Sequence, residues 1–251
     1  MKINVGLCQY AIAWEDKTAS KAVIDSLIQS TFNGKAQDPN WLIFPEMSLT
    51  GFSMNSAITA LTLSDIKYFA KMARTYQSFI SFGGVLNQKN CLITLSPTGN
   101  MIHCYEKIHL FSYAKEEKFY LPGDRTQGVF SIQDVTVFPG ICYDVRFADM
   151  FWGSSDKYEI IVIIANFPGS RSLHWRTLLQ ARAIENQAFV IGVNRVGVDP
   201  KIAYTGDSMV ISPDGTILQD AGDRVGIFTA QLNLDYVKKV RSTFSFFSDR
   251  K

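Results

Sequence analysis

Three residues with complementary chemistry follow strand-like apolar stretches of this chain. Cys142 comes directly after the apolar run 137–141, and Glu46 and Lys107 each end a similar run. A side chain at a strand end is held rigidly by the strand while it projects into a cleft. We therefore predict that Glu46, Lys107 and Cys142 meet in one catalytic site.

A cysteine nucleophile needs a base or a cation beside it, because the thiolate attacks and the thiol does not. The three histidines of the chain offer no obvious base, and we interpret His109 and His174 as structural. Glu46 can accept the thiol proton, since burial makes a carboxyl group more basic. Lys107 and the backbone N–H of Tyr143 can stabilise an oxyanion.

Each of the three residues also has a structural interpretation. Glu46 could be a solvated loop acid, Lys107 a surface charge and Cys142 an inert core residue. The catalytic interpretation is favoured because all three, with matching chemistry, follow strands of one chain.

Length and composition favour one globular domain that spans residues 1–251. A chain of 251 residues can bury a substantial core, and 47% hydrophobic with 19% charged residues is typical of folded proteins. A net charge of +2 without a run of Lys or Arg argues against nucleic acid or a membrane surface as a partner. We expect the tail 235–251 to dock on the domain or on a partner subunit.

The chain has features of a cytoplasmic protein. Its N-terminal residues begin a strand pattern directly and lack the layout of a secretory signal. No apolar run approaches the roughly 18 residues of a membrane span. The four cysteines are scattered in a chain too large to need disulfides, so we expect reduced thiols in the cytoplasm. The histidine and cysteine spacings predict no zinc site.

Hydrophobic periodicity predicts alternating strands and helices, which is the pattern of an α/β fold. The predicted strands are 3–9, 41–44, 78–85, 91–95, 101–105, 136–141, 160–165, 189–194, 209–211 and 216–218. The predicted helices are 16–30, one starting at Ser64, 173–186 and 235–240, with Asp16 or Thr18, Ser64 and Ser172 as N-caps. The segment 112–124 has no clean period and is predicted to be a loop, with or without a helical turn, near the site.

Two similar hairpins are predicted within this domain. The sequences S-P-T-G at 96–99 and S-P-D-G at 212–215 each separate two short strands. Gly83 and Gly84, inside a predicted strand, indicate a bulge or a close backbone approach. These patterns together predict two sheets stacked face to face, with helices on their outer faces.

Three motifs, in order along the chain, resemble those of the carbon–nitrogen hydrolase, or nitrilase-like, superfamily with its Glu-Lys-Cys triad. The acid motif matches residues 44–52, the lysine motif 105–111 and the nucleophile motif 140–147. The sequence A-R-A-I-E-N-Q at 181–187 and G-D-S at 206–208 are also characteristic. The resemblance covers nearly the whole chain.

The resemblance implies a fold, an assembly and a reaction. The implied fold is a four-layer α-β-β-α sandwich, paired across subunits into an eight-layer dimer, so we expect a homodimer or a larger homo-oligomer. A second glutamate is implied, for which Glu116 is the best match and Glu117 the alternative. The implied reaction passes through a thioester on Cys142 and needs no metal or organic cofactor. The segments 165–168 and 194–197 favour the ω-amidase branch, whose members hydrolyse the terminal amide of small dicarboxylic monoamides such as 2-oxoglutaramate.

The distal carboxylate of such an amide substrate should meet a cation. Arg146, Arg171 and Arg195 are the candidates, and Arg171 precedes a helix N-terminus, where anions also bind. Tyr143 and Asn166 complete the set of residues that we predict to bind the substrate.

Several alternatives stay open at this point. The chain could be a different amide or nitrile hydrolase: a carbamoyl hydrolase, an aliphatic amidase or a nitrilase. It could also be a dimeric binding protein without catalytic activity. Arg146 could serve as an internal partner of Asp144 or of another acid rather than contact a substrate.

Overall fold

Two six-stranded mixed sheets form the centre of the molecule. The computed structural model describes residues 1–32, 39–124, 128–152 and 158–249. In chain order the strands are β1 (Lys2–Gln9), β2 (Trp41–Ile43), β3 (Phe79–Leu86), β4 (Lys89–Leu95), β5 (Met101–Glu106), β6 (Phe130–Ile132), β7 (Val135–Ile141), β8 (Ile160–Ile164), β9 (Phe189–Val193), β10 (Val196–Val198), β11 (Ala203–Thr205), β12 (Met209–Ile211), β13 (Ile217–Asp220) and β14 (Gly226–Asn233). The helices are α1 (Lys17–Phe32), α2 (Ser56–Thr59), α3 (Leu63–Tyr76), α4 (Ala148–Trp152), α5 (Ser172–Asn186) and α6 (Asp235–Thr243). Within the described ranges, no helix has the length and apolar character needed to cross a membrane.

The two sheets share one plan. The strand order is β14-β1-β2-β3-β4-β5 in the first sheet and β13-β12-β9-β8-β7-β6 in the second. In each sheet three central strands run parallel and the flanking strands pair antiparallel. The carboxyl ends of the central strands therefore lie at one edge of each sheet, which is where ligands bind in such folds.

Apolar side chains fill the spaces between the layers. Between the sheets, Ile43 belongs to the same buried cluster as Val162. On the outer face of the first sheet, Ile24 of α1 and Phe69 of α3 pack against the strands. On the outer face of the second sheet, Trp175 of α5 does the same. This packing confirms the predicted α-β-β-α sandwich.

Both predicted hairpins form, with closely similar turns. Ser96 and Ser212 each donate a backbone N–H to the carbonyl four residues later, at 2.8 Å in both cases. Gly99 and Gly215 have φ of 81° and 87°, a left-handed conformation that favours glycine. The hairpins β4–β5 and β12–β13 occupy matching places at the ends of the two sheets.

Two predicted helix N-caps are wrong. Helix α3 is capped by Thr62 rather than by Ser64, because the Thr62 hydroxyl accepts the backbone N–H of Asp65 while Asp65 accepts that of Thr62. At the start of α5, the Ser172 hydroxyl donates instead to Asp207 at 2.7 Å. In α3 a neighbouring hydroxyl takes the cap, and α5 begins without a side-chain cap.

The C-terminal tail begins with a helix that contacts the domain. Of the tail 235–251, helix α6 extends to Thr243, and the final residues 250–251 lie outside the described part of the chain. Arg241 of α6 donates to the Tyr158 carbonyl at 2.7 Å. Phe244, just beyond the helix, is 57% exposed.

Candidate active site

The three predicted catalytic residues follow strands that end on the same side of the molecule. Glu46 comes after β2, Lys107 after β5 and Cys142 after β7. Strand β5 is antiparallel to β4, which is antiparallel to β3, so β5 runs in the direction of the central strands. Glu46 and Lys107 are fully buried, whereas Cys142 is partly exposed.

Lys107 holds two carboxylates together. Its Nζ lies 3.0 Å from Glu46 Oε1 and 2.9 Å from Glu116 Oε2, and all three side chains are fully buried. Burial alone would lower the pKa of Lys107, but the charges of Glu116 and Glu46 outweigh it and raise the pKa above its ordinary value. The lysine is therefore a permanent cation in this cluster.

Asn166, after β8, fixes the position of Glu46. Its backbone N–H donates to Glu46 Oε2 at 2.8 Å, and its side-chain amide donates to the Glu46 carbonyl at 2.6 Å. The same backbone N–H favours the ionised form of the Cys142 thiol and opposes the rise of its pKa. Asn166 therefore fixes the carboxylate whose charge also acts on the thiol.

Cys142 opens a short 3-10 turn and has a strained backbone. The turn Cys142–Arg146 follows β7 directly, and the φ of Cys142 is 49°, in the left-handed region. Such strain in a residue other than glycine is common at catalytic positions. Burial, followed by the charge of Glu46, raises the pKa of the Cys142 thiol well above its ordinary value. The raised pKa favours the neutral thiol, which must lose its proton to react.

Asp144 links the turn that begins at Cys142 to the segment around Lys107 through hydrogen bonds. One carboxylate oxygen accepts the Tyr105 hydroxyl at 2.8 Å and the Ile141 N–H at 3.0 Å. The other accepts the backbone N–H of His109 at 2.9 Å and contacts its Nδ1 at 2.9 Å. These bonds agree with the structural interpretation of His109, and they correct the alternative in which Arg146 pairs with Asp144.

The structure distinguishes between the two candidates for the second glutamate. Glu116 lies in the lysine cluster and also accepts the Phe111 N–H at 2.6 Å. Glu117 is exposed to solvent. The prediction of Glu116 therefore agrees with the position of its side chain.

Asn90 belongs to the same cluster and was missed in the sequence. Its Nδ2 donates to Glu46 Oε1 at 2.7 Å and to Glu116 Oε1 at 3.1 Å. The residue follows the turn-like sequence N-Q-K at 87–89, which hides its place on β4. The available signal was its position directly before the buried run 91–95.

Cys142 opens onto a cavity of about 680 Å³. Aromatic side chains form much of its wall: Trp14, Phe52, Phe111, Tyr113, Tyr143, Phe167 and Tyr204. The four predicted substrate-binding residues also line it: Tyr143, Arg146, Asn166 and Arg171. A cavity of this size with an apolar wall and a few polar groups suits a small organic substrate.

The three candidate arginines have different surroundings. Arg146 lies over Phe167 at 5.4 Å and is 3.3 Å from a His174 ring nitrogen, while Arg171 lies over Phe111 at 5.5 Å. Within the described residues, neither forms an ion pair with a carboxylate. Both cations are therefore available to an anionic group in the cavity.

Arg195 is not available to a substrate, contrary to its place among the candidates. It is fully buried, and its guanidinium donates to the Ile12 carbonyl at 2.9 Å and to the Val196 carbonyl at 3.1 Å. It lies over the Tyr204 ring rather than in the cavity wall. Its position depends on packing between distant segments, which the local sequence does not reveal.

Comparisons with known proteins identify the family of this chain. The carbon–nitrogen hydrolase family model matches residues 4–242. The chain is 31% identical to the omega-amidase YafV of Escherichia coli K12, over 98% of this chain and 96% of that protein. It is 29% identical to the 2-oxoglutaramate amidase of Bacillus subtilis, over 99% and 98% of the two chains.

A solved structure has the same fold. The CN-hydrolase superfamily protein XC1258 of Xanthomonas campestris superposes with a TM-score of 0.91 at 26% identity, covering 100% of this chain and 98% of that one. That protein carries an arsenic adduct in its active site. Family match and fold together lead to one conclusion: this chain belongs to the carbon–nitrogen hydrolase, or nitrilase, superfamily and is an amide-hydrolysing enzyme.

Proposed function

We propose that the enzyme is an ω-amidase, which releases ammonia from the terminal amide of small dicarboxylic monoamides such as 2-oxoglutaramate. The observation that carries this proposal is the combination of a thiol beside the Glu46–Lys107–Glu116 cluster with the cations Arg146 and Arg171 in one cavity. The cluster supplies the chemistry of amide cleavage, and the cations suit the distal carboxylate. The names of the two amidase relatives support the same substrate class.

In the proposed acylation step, Cys142 attacks the amide carbonyl while Glu46 accepts the thiol proton. A resting neutral thiol fits this order, because the proton then moves only as the carbon–sulfur bond forms. Lys107 and the Tyr143 N–H stabilise the oxyanion. Glu46 then protonates the departing nitrogen, so that ammonia leaves and a thioester remains on Cys142.

In the proposed deacylation step, water attacks the thioester. Glu46 takes a proton from the water, and Glu116 orients it from the other side of Lys107. Collapse of the second tetrahedral intermediate breaks the carbon–sulfur bond, returns the proton to sulfur and releases the acid. Each step uses Glu46 as the proton carrier, in keeping with the effect of its charge on the pKa of the Cys142 thiol.

A substrate panel tests the proposal. Ammonia release is measured with ω-amide acids, with neutral aliphatic amides of the same length, with nitriles and with carbamoyl compounds. We expect the ω-amide acids to be hydrolysed best, with an acyl adduct on Cys142 seen by mass spectrometry. Preference for neutral amides, carbamoyl compounds or nitriles would instead identify an aliphatic amidase, a carbamoyl hydrolase or a nitrilase.

Cysteine variants test the nucleophile. Cys142→Ala and Cys142→Ser should abolish turnover while the circular dichroism spectrum stays that of the parent. Cys104→Ala is the matched control, because Cys104 is half-buried on β5 and does not line the cavity. Turnover retained by both Cys142 variants, or no ammonia from any compound with the parent, would contradict the proposal.

We further propose that the enzyme forms a homodimer and acts in the cytoplasm. The outer face of α5 exposes Leu173 and Ile184, at 75% and 48%, and Trp152 beside it is 52% exposed. Apolar groups on one exposed helix face are typical of a subunit interface. Four free thiols, one of them the proposed nucleophile, suit a reducing compartment. Light scattering should give a dimer for the parent and a monomer for Leu173→Glu/Ile184→Lys.

A further inference from the structure

Asn90 contributes a second bridge between the two buried glutamates. Its Nδ2 donates one hydrogen to Glu46 Oε1 at 2.7 Å and the other to Glu116 Oε1 at 3.1 Å. Among the described residues, Lys107 is the other side chain that bonds both carboxylates. The amide carries no charge, so its contribution differs in kind from that of the lysine.

The orientation of the Asn90 amide follows from its neighbours. A side-chain amide has one accepting end and one donating end, and the donating end must face the two carboxylates. The accepting oxygen is buried and has no hydrogen-bond partner in the described part of the chain. Both hydrogen bonds that the Asn90 side chain forms within the described residues are therefore made to the two glutamates.

The charges of the cluster explain why such a donor is needed. Glu46 and Glu116 bring two negative charges into a fully buried site, and Lys107 offsets one of them. An uncompensated buried charge is costly unless hydrogen bonds stabilise it. Two N–H groups of Asn90, together with the backbone N–H groups of Asn166 and Phe111, supply those bonds.

The backbone of Asn90 also positions the lysine. The Asn90 carbonyl accepts the backbone N–H of Lys107 at 2.8 Å, immediately after β5 ends. One residue of β4 thus fixes the strand end that carries the cation and binds both acids through its side chain. A shift of β4 against β5 would disturb all three charged groups together.

We propose that Asn90 is a positioning residue, which holds Glu46 and Glu116 a fixed distance apart on either side of Lys107. This role rests on the proposed cysteine chemistry, in which Glu46 must be ionised to accept a proton. Asn90 itself does not line the cavity that receives the substrate. Its loss should therefore affect the chemical steps more than substrate binding.

The test uses Asn90→Asp, which keeps the shape but removes the donors, and Asn90→Ser, which keeps a small polar group. A carboxylate that loses a donor binds a proton at higher pH, so less Glu46 is ionised in weak acid. We expect kcat to fall by about tenfold or more while KM changes by less than about threefold. We also expect the acid limb of kcat/KM to move to higher pH.

Thr94→Val is the matched control on the same strand. The Thr94 hydroxyl is buried and bonds the Ser81 hydroxyl at 2.8 Å, so this variant also loses one buried hydrogen bond of β4. We expect its pH profile to match that of the parent. The proposal is overturned if the Asn90 variants keep near-parental kcat, or if their kcat falls with an unmoved acid limb.

A second readout does not depend on any substrate. Alkylation of Cys142 by iodoacetamide is followed by mass spectrometry from about pH 5 to about pH 9. We expect the inflection of the rate to move to higher pH in the Asn90 variants and to stay in place in Thr94→Val. An unmoved inflection in either soluble Asn90 variant overturns the positioning role.

Absence of ammonia from every amide with the parent enzyme would instead reject the proposed function, while alkylation still decides the role of Asn90.

Discussion

Gly83 packs directly against Glu46: a methyl group on the Gly83 Cα would lie 2.6 Å from the Glu46 Cα. The same group would lie 2.5 Å from the Met47 backbone nitrogen. Ser48 fixes this contact, because its N–H donates to the Gly83 carbonyl at 2.9 Å and its hydroxyl accepts the Gly83 N–H at 3.0 Å. The predicted close backbone approach is confirmed at Gly83, and it determines where the proposed base sits.

Gly83→Ala should displace Glu46 and lower activity. The new methyl group meets backbone, which cannot rotate away, so we expect kcat to fall by about tenfold or more and the unfolding free energy by about 1–3 kcal/mol. Gly84→Ala is the matched control, since its methyl group would meet the Leu61 side chain, which can move. Near-parental kcat in Gly83→Ala would show that Glu46 need not stay in this position.

Lys107→Met should remove the cation that the two glutamates share. We expect kcat to fall by about 10²-fold or more through loss of an oxyanion donor. The unfolding free energy should fall by about 3 kcal/mol, because the buried carboxylates lose their counter-ion. Lys89→Met is the control: its ammonium bonds Glu106 at 2.6 Å, but both side chains are more than a quarter exposed. Equal kinetic losses in the two variants would contradict a specific role for Lys107.

The proposed catalytic cluster was partly predictable because its members follow recognisable strands. Glu46, Lys107 and Cys142 each end an apolar run, and the alternation of strands and helices directs these ends to one side. The Gly83–Gly84 pair was informative because glycine in a strand has few other reasons to occur. Local sequence patterns were sufficient to predict a feature wherever its structural cause lies in the same segment of the chain.

The remaining features depend on contacts between distant segments. Asn90 donates to Glu46 and Glu116, which are 44 and 26 residues away. Ser172 does not cap its helix because Asp207, 35 residues further on, accepts its hydroxyl. The Arg195 guanidinium lies away from the cavity wall because it donates to the Ile12 carbonyl, which is 183 residues away. Residue type and spacing contain no signal for partners of this kind.

Glu116→Gln and Glu117→Gln should separate the two candidates for the second glutamate. Glu116 is buried against Lys107, so its loss should lower kcat by about tenfold or more, whereas exposed Glu117 should matter little. Mass spectrometry of Cys142 during turnover adds a second readout. Accumulation of the acyl adduct in Glu116→Gln would match its proposed part in deacylation. Equal kcat in both variants would reject the proposed role of Glu116 in deacylation.

The stability of the helical layer on the first sheet should depend on pH through Asp65. Burial alone would raise the pKa of the Asp65 carboxyl, but hydrogen bonds from Lys17, Lys21 and Thr62 outweigh it and lower the pKa. A lowered pKa in the folded state means that the stabilisation is complete above the unfolded pKa of about 3.9 and fades as pH falls below it.

Asp65→Asn tests this dependence. We expect it to lower the unfolding free energy by about 1–2 kcal/mol at neutral pH, with the difference from the parent shrinking below about pH 4. Urea unfolding at several pH values measures this difference. Asp25→Asn is the control, because it removes a charge that accepts an exposed hydrogen bond from Tyr68. A difference that persists unchanged in acid would mean that the ion pairs with Lys17 and Lys21 do not stabilise the fold.

Arg171→Ala should weaken the binding of anionic substrates specifically. Arg171 lines the cavity and forms no ion pair within the described residues, so a substrate carboxylate would be its first ionic partner. We expect KM for an ω-amide acid to rise by about tenfold, with less than about threefold change for the neutral amide of equal length.

Arg146→Ala measured alongside shows whether the two arginines share the carboxylate. Arg224→Ala is the control, because Arg224 stacks on Phe228 outside the cavity wall. An unchanged KM for the anionic amide in Arg171→Ala would leave Arg146 as the candidate, and unchanged values in both would remove the carboxylate from the proposed substrate.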